Sequence, residues 1–225
     1  MYNTEIMVTA DGSHSLYVPA LKEHFHSVNG ALSESLHVFI GNGFNFLTDR
    51  EEIFVLEIGF GTGLNCLLTL MEACRRGIST RYYALELNPL NAKTIAALNY
   101  PDITGCKEET WFRDMHASPW GEPVKLTPGF ELVKIQADFI SCGAEIIPPC
   151  HLVYYDAFGP EKQPGMWTPE LFRKLSSRME PGTLLVTYCA RGKVRRDLTA
   201  AGFVMERLPG PKGKREMLRG IRGES

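Results

Sequence analysis

Phe54-Val-Leu-Glu-Ile-Gly-Phe-Gly-Thr-Gly-Leu-Asn65, with its continuation to Met71, decides how the rest of the chain is read. The apolar run from Ile53 to Ile58, broken only by Glu57, has the length of one buried parallel strand. It runs directly into Gly59, Gly61 and Gly63. Leu64, Leu67, Leu68 and Met71 then recur at helical spacing. Strand, glycine turn and helix form a half-module for a nucleotide-like ligand, because a backbone without Cβ atoms lets the ligand approach closely.

The spacing narrows the reading. Dinucleotide folds usually carry G-x-G-x-x-G, whereas this chain carries G-x-G-x-G with an acid, Glu57, two residues before the first glycine. That variant resembles motif I of class I S-adenosylmethionine-dependent methyltransferases, whose ligand has no pyrophosphate to cradle. The resemblance implies an S-adenosyl-L-methionine site built on Glu57, Gly59, Gly61, Gly63, Leu64 and Asn65.

At 225 residues the chain suits one domain with a small appendage. With 44% hydrophobic and 22% charged residues, neither a disordered nor a membrane class is indicated. No apolar run reaches transmembrane length, and the N-terminus lacks a basic-then-apolar signal pattern. The six cysteines form no C-x-x-C pair and are read as reduced thiols of a cytoplasmic protein. Histidine spacing gives no metal site; His24-x-His26 reads as loop or strand alternation. Charge is uneven. From Arg191 onward ten basic residues face four acids, a balance of +6 that leaves −8 for the rest of a chain whose total is −2. Such a tail is either a solvated basic surface or a polyanion-facing one.

Residues 1–50 read as a β-rich or mixed N-terminal cover, with short β-like pieces around the Asp11-Gly12 turn. From residue 51 the β-α alternation is regular, and 51–225 reads as the main domain. Strands are expected at 53–58, 81–86, 130–135, 151–156, 183–189, 203–208 and 215–221, and helices at 64–71, 91–98, 169–178 and 193–201. Residues 101–129 read as irregular, holding at most a short helix or an insertion. The expected fold is therefore α/β, a class I methyltransferase Rossmann-like architecture. Its mostly parallel seven-stranded sheet ends in an antiparallel strand, because the last two strands are joined by a loop and not a helix.

Four acids fall at or near carboxyl ends of strands, where open α/β sheets bind ligands: Glu57, Glu86, Asp138 and Asp156. Glu86 is placed for ribose hydroxyls and Asp138 for the adenine amino group. Glu57 is read as orienting the glycine loop or meeting the methionine ammonium. Each is weighed against a solvated loop carboxylate. Asp156-Ala-Phe-Gly-Pro160 resembles motif IV of amino-methylating enzymes, which lies beside the reactive methyl, and the resemblance implies Asp156 and Phe158 among the cofactor contacts. A carboxylate there orients an amine and stabilises charge growing on nitrogen, rather than acting as a strong base. Phe158, Met166 and Trp167 form either a stacking wall for the acceptor or ordinary core.

The chain resembles the methyltransferase domain of the MnmC family and its stand-alone MnmD relatives. The resemblance lies in Glu57–Asn65, Ala84-Leu-Glu-Leu-Asn-Pro89, Asp156-Ala-Phe-Gly-Pro-Glu-Lys-Gln-Pro-Gly-Met-Trp-Thr168, residues 194–203 and Gly213-Lys-Arg-Glu-Met-Leu218, with the leader His26-Ser-Val-Asn-Gly-Ala-Leu-Ser-Glu-Ser35. It covers nearly the whole chain. It implies methylation of the 5-aminomethyl group of wobble uridine (U34) in the tRNA anticodon stem-loop, with Asp156 as the active-site carboxylate. Glu34, Phe158, Lys162, Met166 and Trp167 then lie on the substrate side, and Arg195, Arg196, Lys212, Lys214 and Arg215 are contacts for tRNA. No FAD-dependent oxidase half is present in the 225 residues, so the aminomethyl substrate is supplied by another enzyme, or the chain is a cut domain. An aminopropyltransferase of the spermidine-synthase type, a small-molecule amine N-methyltransferase and a non-catalytic RNA-binding module are the alternatives on the same fold.

Overall fold

Three short strands, β1 (Glu5–Val8), β2 (His14–Val18) and β3 (Glu23–His24), open the chain as an antiparallel sheet. The computed structural model describes every residue except Met1, Glu109 and Ser225. Asp11 holds the β1–β2 turn together. Its Oδ1 accepts from the Ser13 backbone N–H at 3.1 Å and from the Thr9 hydroxyl at 2.8 Å. Its Oδ2 accepts from the Ser33 N–H at 2.9 Å, in the first turn of α1 (Ala31–Ser35). The helix then widens into a π-turn, Leu36–Gly41, which buries Val38, Phe39 and Ile40. The cover is thus mixed, half sheet and half helix.

The chain then alternates. β4 (Glu52–Ile58), α2 (Leu64–Arg76) and β5 (Ser79–Glu86) are followed by α3 (Ala92–Ala96), α4 (Tyr100–Thr104) and α5 (Trp111–Ala117). β6 (Pro123–Thr127), β7 (Phe130–Gln136), β8 (Leu152–Tyr155), α6 (Pro169–Ser176), β9 (Leu184–Thr187), α7 (Gly192–Ala200), β10 (Phe203–Pro209) and β11 (Glu216–Arg222) complete it. The main sheet has the order β10-β11-β9-β8-β4-β5-β7-β6. β7, β5, β4, β8 and β9 are mutually parallel, and β11 lies antiparallel between β9 and β10. The mostly parallel sheet with an antiparallel last strand is as expected.

The strand count is not. The sheet has eight strands where seven were expected, because β6 pairs antiparallel with β7 at the edge. Its side chains are only partly buried and Pro123 heads it, so it carries neither the apolar run of a central strand nor an unbroken donor row. Residues 101–129, expected to be irregular, also contain most of α4 and all of α5.

Strand parity assigns the two faces. Ile53 and Val55 of β4, Tyr82 and Ala84 of β5, and Leu152 and Tyr154 of β8 join the buried cluster that contains Leu64 and Leu67 of α2. Val38, Phe39 and Phe44 from the N-terminal segment belong to that same cluster. Leu56, Ile58, Val153 and Tyr155 point the other way, against Leu171, Phe172 and Leu175 of α6 and Val194 and Leu198 of α7. Among the described residues no helix is long and apolar enough to cross a membrane.

Burial alone would raise the Asp11 carboxyl, but hydrogen bonds from Ser13, Ser33 and Thr9 bring it down to about 2. A folded-state value below the ordinary 3.8 contributes stability that is present above pH 3.8 and lost as pH falls through about 2. Asp11→Ala should therefore cost about 1–2 kcal/mol in urea unfolding at neutral pH. The difference from wild type should shrink toward pH 2; a penalty independent of pH would contradict this account of the turn.

Candidate active site

The turn after β4 is built from left-handed backbone. Gly59, Gly61 and Gly63 have φ of 95°, 50° and 76°, values costly for any residue with a Cβ. At Gly59 space is also missing, since a Cβ would lie 2.7 Å from the Asp156 carbonyl oxygen. The loop is tied to the end of β5. The Gly59 and Phe60 N–H groups donate to the Leu85 carbonyl at 3.0 and 3.2 Å. The Gly61 N–H donates to Glu86 Oε2 at 3.0 Å, while Glu86 Oε1 accepts from the Asn88 N–H at 2.7 Å.

Beneath this loop runs a narrow cleft of about 200 Å³, lined among others by Gly59, Gly61, Glu86, Asp138 and Asp156. Leu87 and Ile140, about half exposed, flank it with Phe139, Phe158 and Met166. Asp138 accepts from the Ile140 N–H at 2.9 Å and the Ser141 hydroxyl at 3.0 Å. Apolar walls with a carboxylate at each turn match what S-adenosylmethionine presents. Its adenine offers two flat faces, and its ribose offers two hydroxyl donors for which Glu86 still has lone pairs. The residues present fit that group, with Glu86 and Asp138 as its polar anchors.

Asp156 follows β8 at the same parity as Leu152 and Tyr154, and so turns toward α2. There the Asn65 amide donates to Asp156 Oδ2 at 2.8 Å and to Glu57 Oε1 at 2.9 Å. Burial and the nearby Glu34 charge push the Asp156 carboxyl up to about 7, against the Asn65 hydrogen bond and the Lys214 charge. Glu57 is wholly buried, and burial raises it well above the usual carboxylate range. Glu57, Gly63, Leu64 and Asn65 do not line the cleft. They were expected among the cofactor contacts; the structure instead shows Asn65 bonded to Glu57 and to Asp156 beside the cleft.

A wider, shallower cleft of about 610 Å³ shares the Phe25–His26 wall and is lined by Glu34, Lys162, Tyr188, Lys214 and Arg215 among others. The Lys214 ammonium is hydrogen-bonded to the buried Glu34 carboxylate and sits 3.9 Å from the centre of the Tyr188 ring. Glu34 also accepts from the Ser27 N–H at 3.0 Å. The leader 26–35 and the hairpin before β11 therefore meet at this cleft. The Lys162 ammonium donates to the carbonyls of Leu21 and Lys22, both at 3.0 Å, and fastens the Asp156 loop to the cover.

Other expected substrate residues lie elsewhere. Trp167 is core, stacked edge-on against Tyr155 and Phe172, with its indole N–H donating to the Phe158 carbonyl at 2.7 Å. It does not form a wall of either cleft. Arg195, Arg196 and Lys212 line neither cleft. Much of the C-terminal basic charge is paired internally: Arg191 with Glu161, Lys193 with Asp197, Arg207 with Glu216 and Arg219 with Glu206.

Sequence reasoning missed Phe25, His26, Thr62, Leu87, Ile140 and Tyr188. His26 is buried, which lowers it to about 4, so its ring is neutral; Nε2 meets the Thr62 hydroxyl at 2.8 Å. Tyr100 reaches the same hydroxyl at 3.2 Å, so the cover and α4 both grip the glycine loop. Only position within the leader could have flagged His26. Tyr188 lies one residue past β9, at a carboxyl strand end like the four acids, and that signal was available.

Fold and site together define the class I S-adenosylmethionine-dependent methyltransferases: the sheet order, the glycine turn after the first main strand, and acids at the following strand ends. Residues 135–223 match a family described as S-adenosyl-L-methionine-dependent methyltransferase. Within that class the chain is similar to MnmC over most of its length. It is 32% identical over 87% of its length to the tRNA 5-methylaminomethyl-2-thiouridine biosynthesis bifunctional protein MnmC of Pseudomonas paraeruginosa, and 30% identical over 95% to that of Cupriavidus metallidurans. It spans about a third of the length of these curated relatives, 32% and 33% respectively. The crystal structure of MNMC2 from Aquifex aeolicus superposes with a TM-score of 0.80 at 23% identity, covering 100% of this chain and 72% of that one. A probable spermidine synthase from Corynebacterium glutamicum shares the fold at a TM-score of 0.51 and 15% identity, over 99% of this chain and 77% of its own.

Removing the Glu86 carboxylate should release the Gly61 N–H and the ligand hydroxyls together. Glu86→Ala should weaken S-adenosylmethionine binding by about tenfold to a hundredfold in calorimetry. Unchanged affinity would show that the narrow cleft is not where the cofactor sits.

Proposed function

We propose that this chain transfers a methyl group from S-adenosyl-L-methionine to the primary amine of 5-aminomethyl-(2-thio)uridine at the wobble position (U34) of tRNA. The product is the 5-methylaminomethyl nucleoside. The observation that carries the reading is Asp156. It is a carboxylate at the wall of the narrow cleft, fixed through one oxygen by Asn65 and close enough to Glu34 and Lys214 of the wide cleft to feel their charges. The printed description of the MnmC relatives supports tRNA as the acceptor-bearing molecule. The aminomethyl group would come from a separate catalytic unit, FAD-dependent or otherwise, and the setting would be the cytoplasm.

When bound, S-adenosylmethionine supplies an electrophilic methyl on a cationic sulfur. Asp156 accepts an N–H of the acceptor amine and aims its lone pair, and positioning of this kind is worth roughly 7–11 kcal/mol in favourable cases. As positive charge grows on nitrogen the carboxylate stabilises it, and its value near 7 suits it to hold the departing proton briefly. Glu86 and Asp138 hold the ribose and adenine ends. Phe158 and Phe25, packed edge-to-face at 5.1 Å between centroids, shield the junction of the two clefts from water. Residues 1–50 act as the substrate-side cover. Arg215 and Lys214 at the wide cleft, with exposed Arg196 and Lys212 outside it and half-buried Arg195, are offered as phosphate contacts, which position rather than specify.

The test is transfer of label from methyl-labelled S-adenosylmethionine to tRNA taken from a strain lacking this methyl group, with the nucleosides identified after digestion. Label is expected in 5-methylaminomethyluridine or its 2-thio form. Label in other nucleosides, or turnover only with decarboxylated cofactor and a polyamine, would overturn the reading. Asp156→Asn should lower kcat by roughly 10²–10⁴-fold. The wild-type kcat/KM should rise with pH through about 7 as Asp156 ionises in the free enzyme, and that limb should vanish in the variant.

A further inference from the structure

At Asp156 two carboxyl groups, its own half-buried one and the wholly buried one of Glu57, share one amide. Asn65 Nδ2 has two hydrogens, and the geometry gives one to Glu57 Oε1 and the other to Asp156 Oδ2, at 2.9 and 2.8 Å. Asn65 occupies the first turn of α2 and is 2% exposed; Glu57 lies on the face of β4 that α2 covers and is 0% exposed. Among the described residues, Glu57 Oε2, Asn65 Oδ1 and the Tyr82 hydroxyl are buried with no partner at full hydrogen-bond geometry, although the Tyr82 hydroxyl lies near enough to Glu57 to oppose part of the rise that burial causes in its carboxyl. None of these groups lines either cleft, so contact with a ligand does not explain them.

We infer that Glu57 and Asn65 are a positioning pair for Asp156: Glu57, in its neutral acid form, anchors the Asn65 amide, which in turn fixes Asp156 Oδ2 and leaves Oδ1 to accept from the acceptor amine. The inference rests on the reading of Asp156 as the active-site carboxylate. Two ionised carboxylates on one small neutral amide, out of water, repel each other and lose their hydration, so one must hold a proton. Glu57 has no route to solvent, whereas Asp156 faces a cleft; the proton belongs on Glu57 and the charge on Asp156. Burial raises both carboxyls, Glu57 well above its usual range and Asp156 to about 7.

The other groups that face this pair do not supply a countercharge to Glu57. Tyr82 and Glu86 of β5, Tyr154 of β8 and Cys66 of α2 surround it, and each is neutral or acidic. Around Asp156 stand Glu34 of α1, Lys214 of the β10–β11 hairpin and Tyr188 after β9. The one cation there, Lys214, is bonded to Glu34. Asn65 is thus the only described group that donates a hydrogen bond to the Asp156 side chain.

The experiment titrates the Asp156 carboxyl by carbon-13 NMR in the ligand-free protein, its signal assigned by its loss in Asp156→Asn. Asn65→Ala removes the donor that favours the charged form, so the midpoint should move to higher pH by roughly one unit. Affinity for S-adenosylmethionine should stay within about threefold, which also reports that the variant is folded. Glu57→Gln is isosteric and uncharged, and should leave the Asp156 midpoint where it is. A midpoint falling by a unit or more in Glu57→Gln would mean that Glu57 is ionised in the wild type and would overturn the inference. So would loss of cofactor affinity in a folded Asn65→Ala with the Asp156 midpoint unmoved. Because the readout needs no acceptor and no turnover, a failure of the tRNA assignment would leave these titrations unaffected and is recognised separately by the labelling experiment.

Discussion

The structure depends on one backbone crossing. At Gly59 the chain leaving β4 passes so close to the chain leaving β8 that a single Cβ would meet the Asp156 carbonyl oxygen at 2.7 Å. Left-handed dihedrals at three glycines make the pass possible, and the Glu86 carboxylate, accepting from the Gly61 N–H, holds it in place. Everything functional follows from that contact. It puts the cofactor-type loop and the Asp156 loop side by side, and it starts α2 where Asn65 reaches both carboxyl groups. The glycines therefore serve protein packing as much as ligand approach.

Strand parity then separates acids that look alike in the sequence. Glu57 and Asp156 both sit at strand ends and both point to the α2 side. β4 and β8 pair with Glu57 opposite Tyr154, so Asp156 stands one pleat further along, past the end of the sheet. That offset buries one carboxyl under the helix and opens the other to a cleft. The same logic puts Glu86, at the last residue of β5, at the cleft wall.

Much of this was legible in sequence, because the signals were local. The apolar run, the three glycines and the spacing of Leu64, Leu67 and Leu68 specify a strand, turn and helix with little competition from tertiary context. Acids at successive strand ends located the narrow cleft through Glu86, Asp138 and Asp156. What escaped was non-local or weakly patterned. β6 is a half-exposed edge strand whose pairing to β7 no periodicity announces. In sequence Trp167 suits a wall or the core equally; burial and the Phe158 carbonyl that accepts from its indole N–H put it in the core. Lys162 reads as a substrate-side residue from its family loop and Lys214 as a tRNA contact from the basic C-terminal region, yet one secures two carbonyls of the cover and the other a buried carboxylate more than a hundred residues away. Parity within β4 would have placed Glu57 beneath α2, and that signal was present in the alternation of Ile53, Val55 and Glu57.

The central claim is that the narrow cleft presents a methyl donor to an amine held by Asp156. A crystal structure with S-adenosylmethionine bound tests it most directly. The account predicts the ribose hydroxyls on Glu86, the adenine between Leu87 and Ile140, and the methyl carbon turned toward Asp156, with room for an acceptor nitrogen at roughly 3–3.5 Å. A cofactor lying in the wide cleft against Glu34 and Tyr188, or bound in the narrow cleft with its sulfur turned away from Asp156, would contradict it.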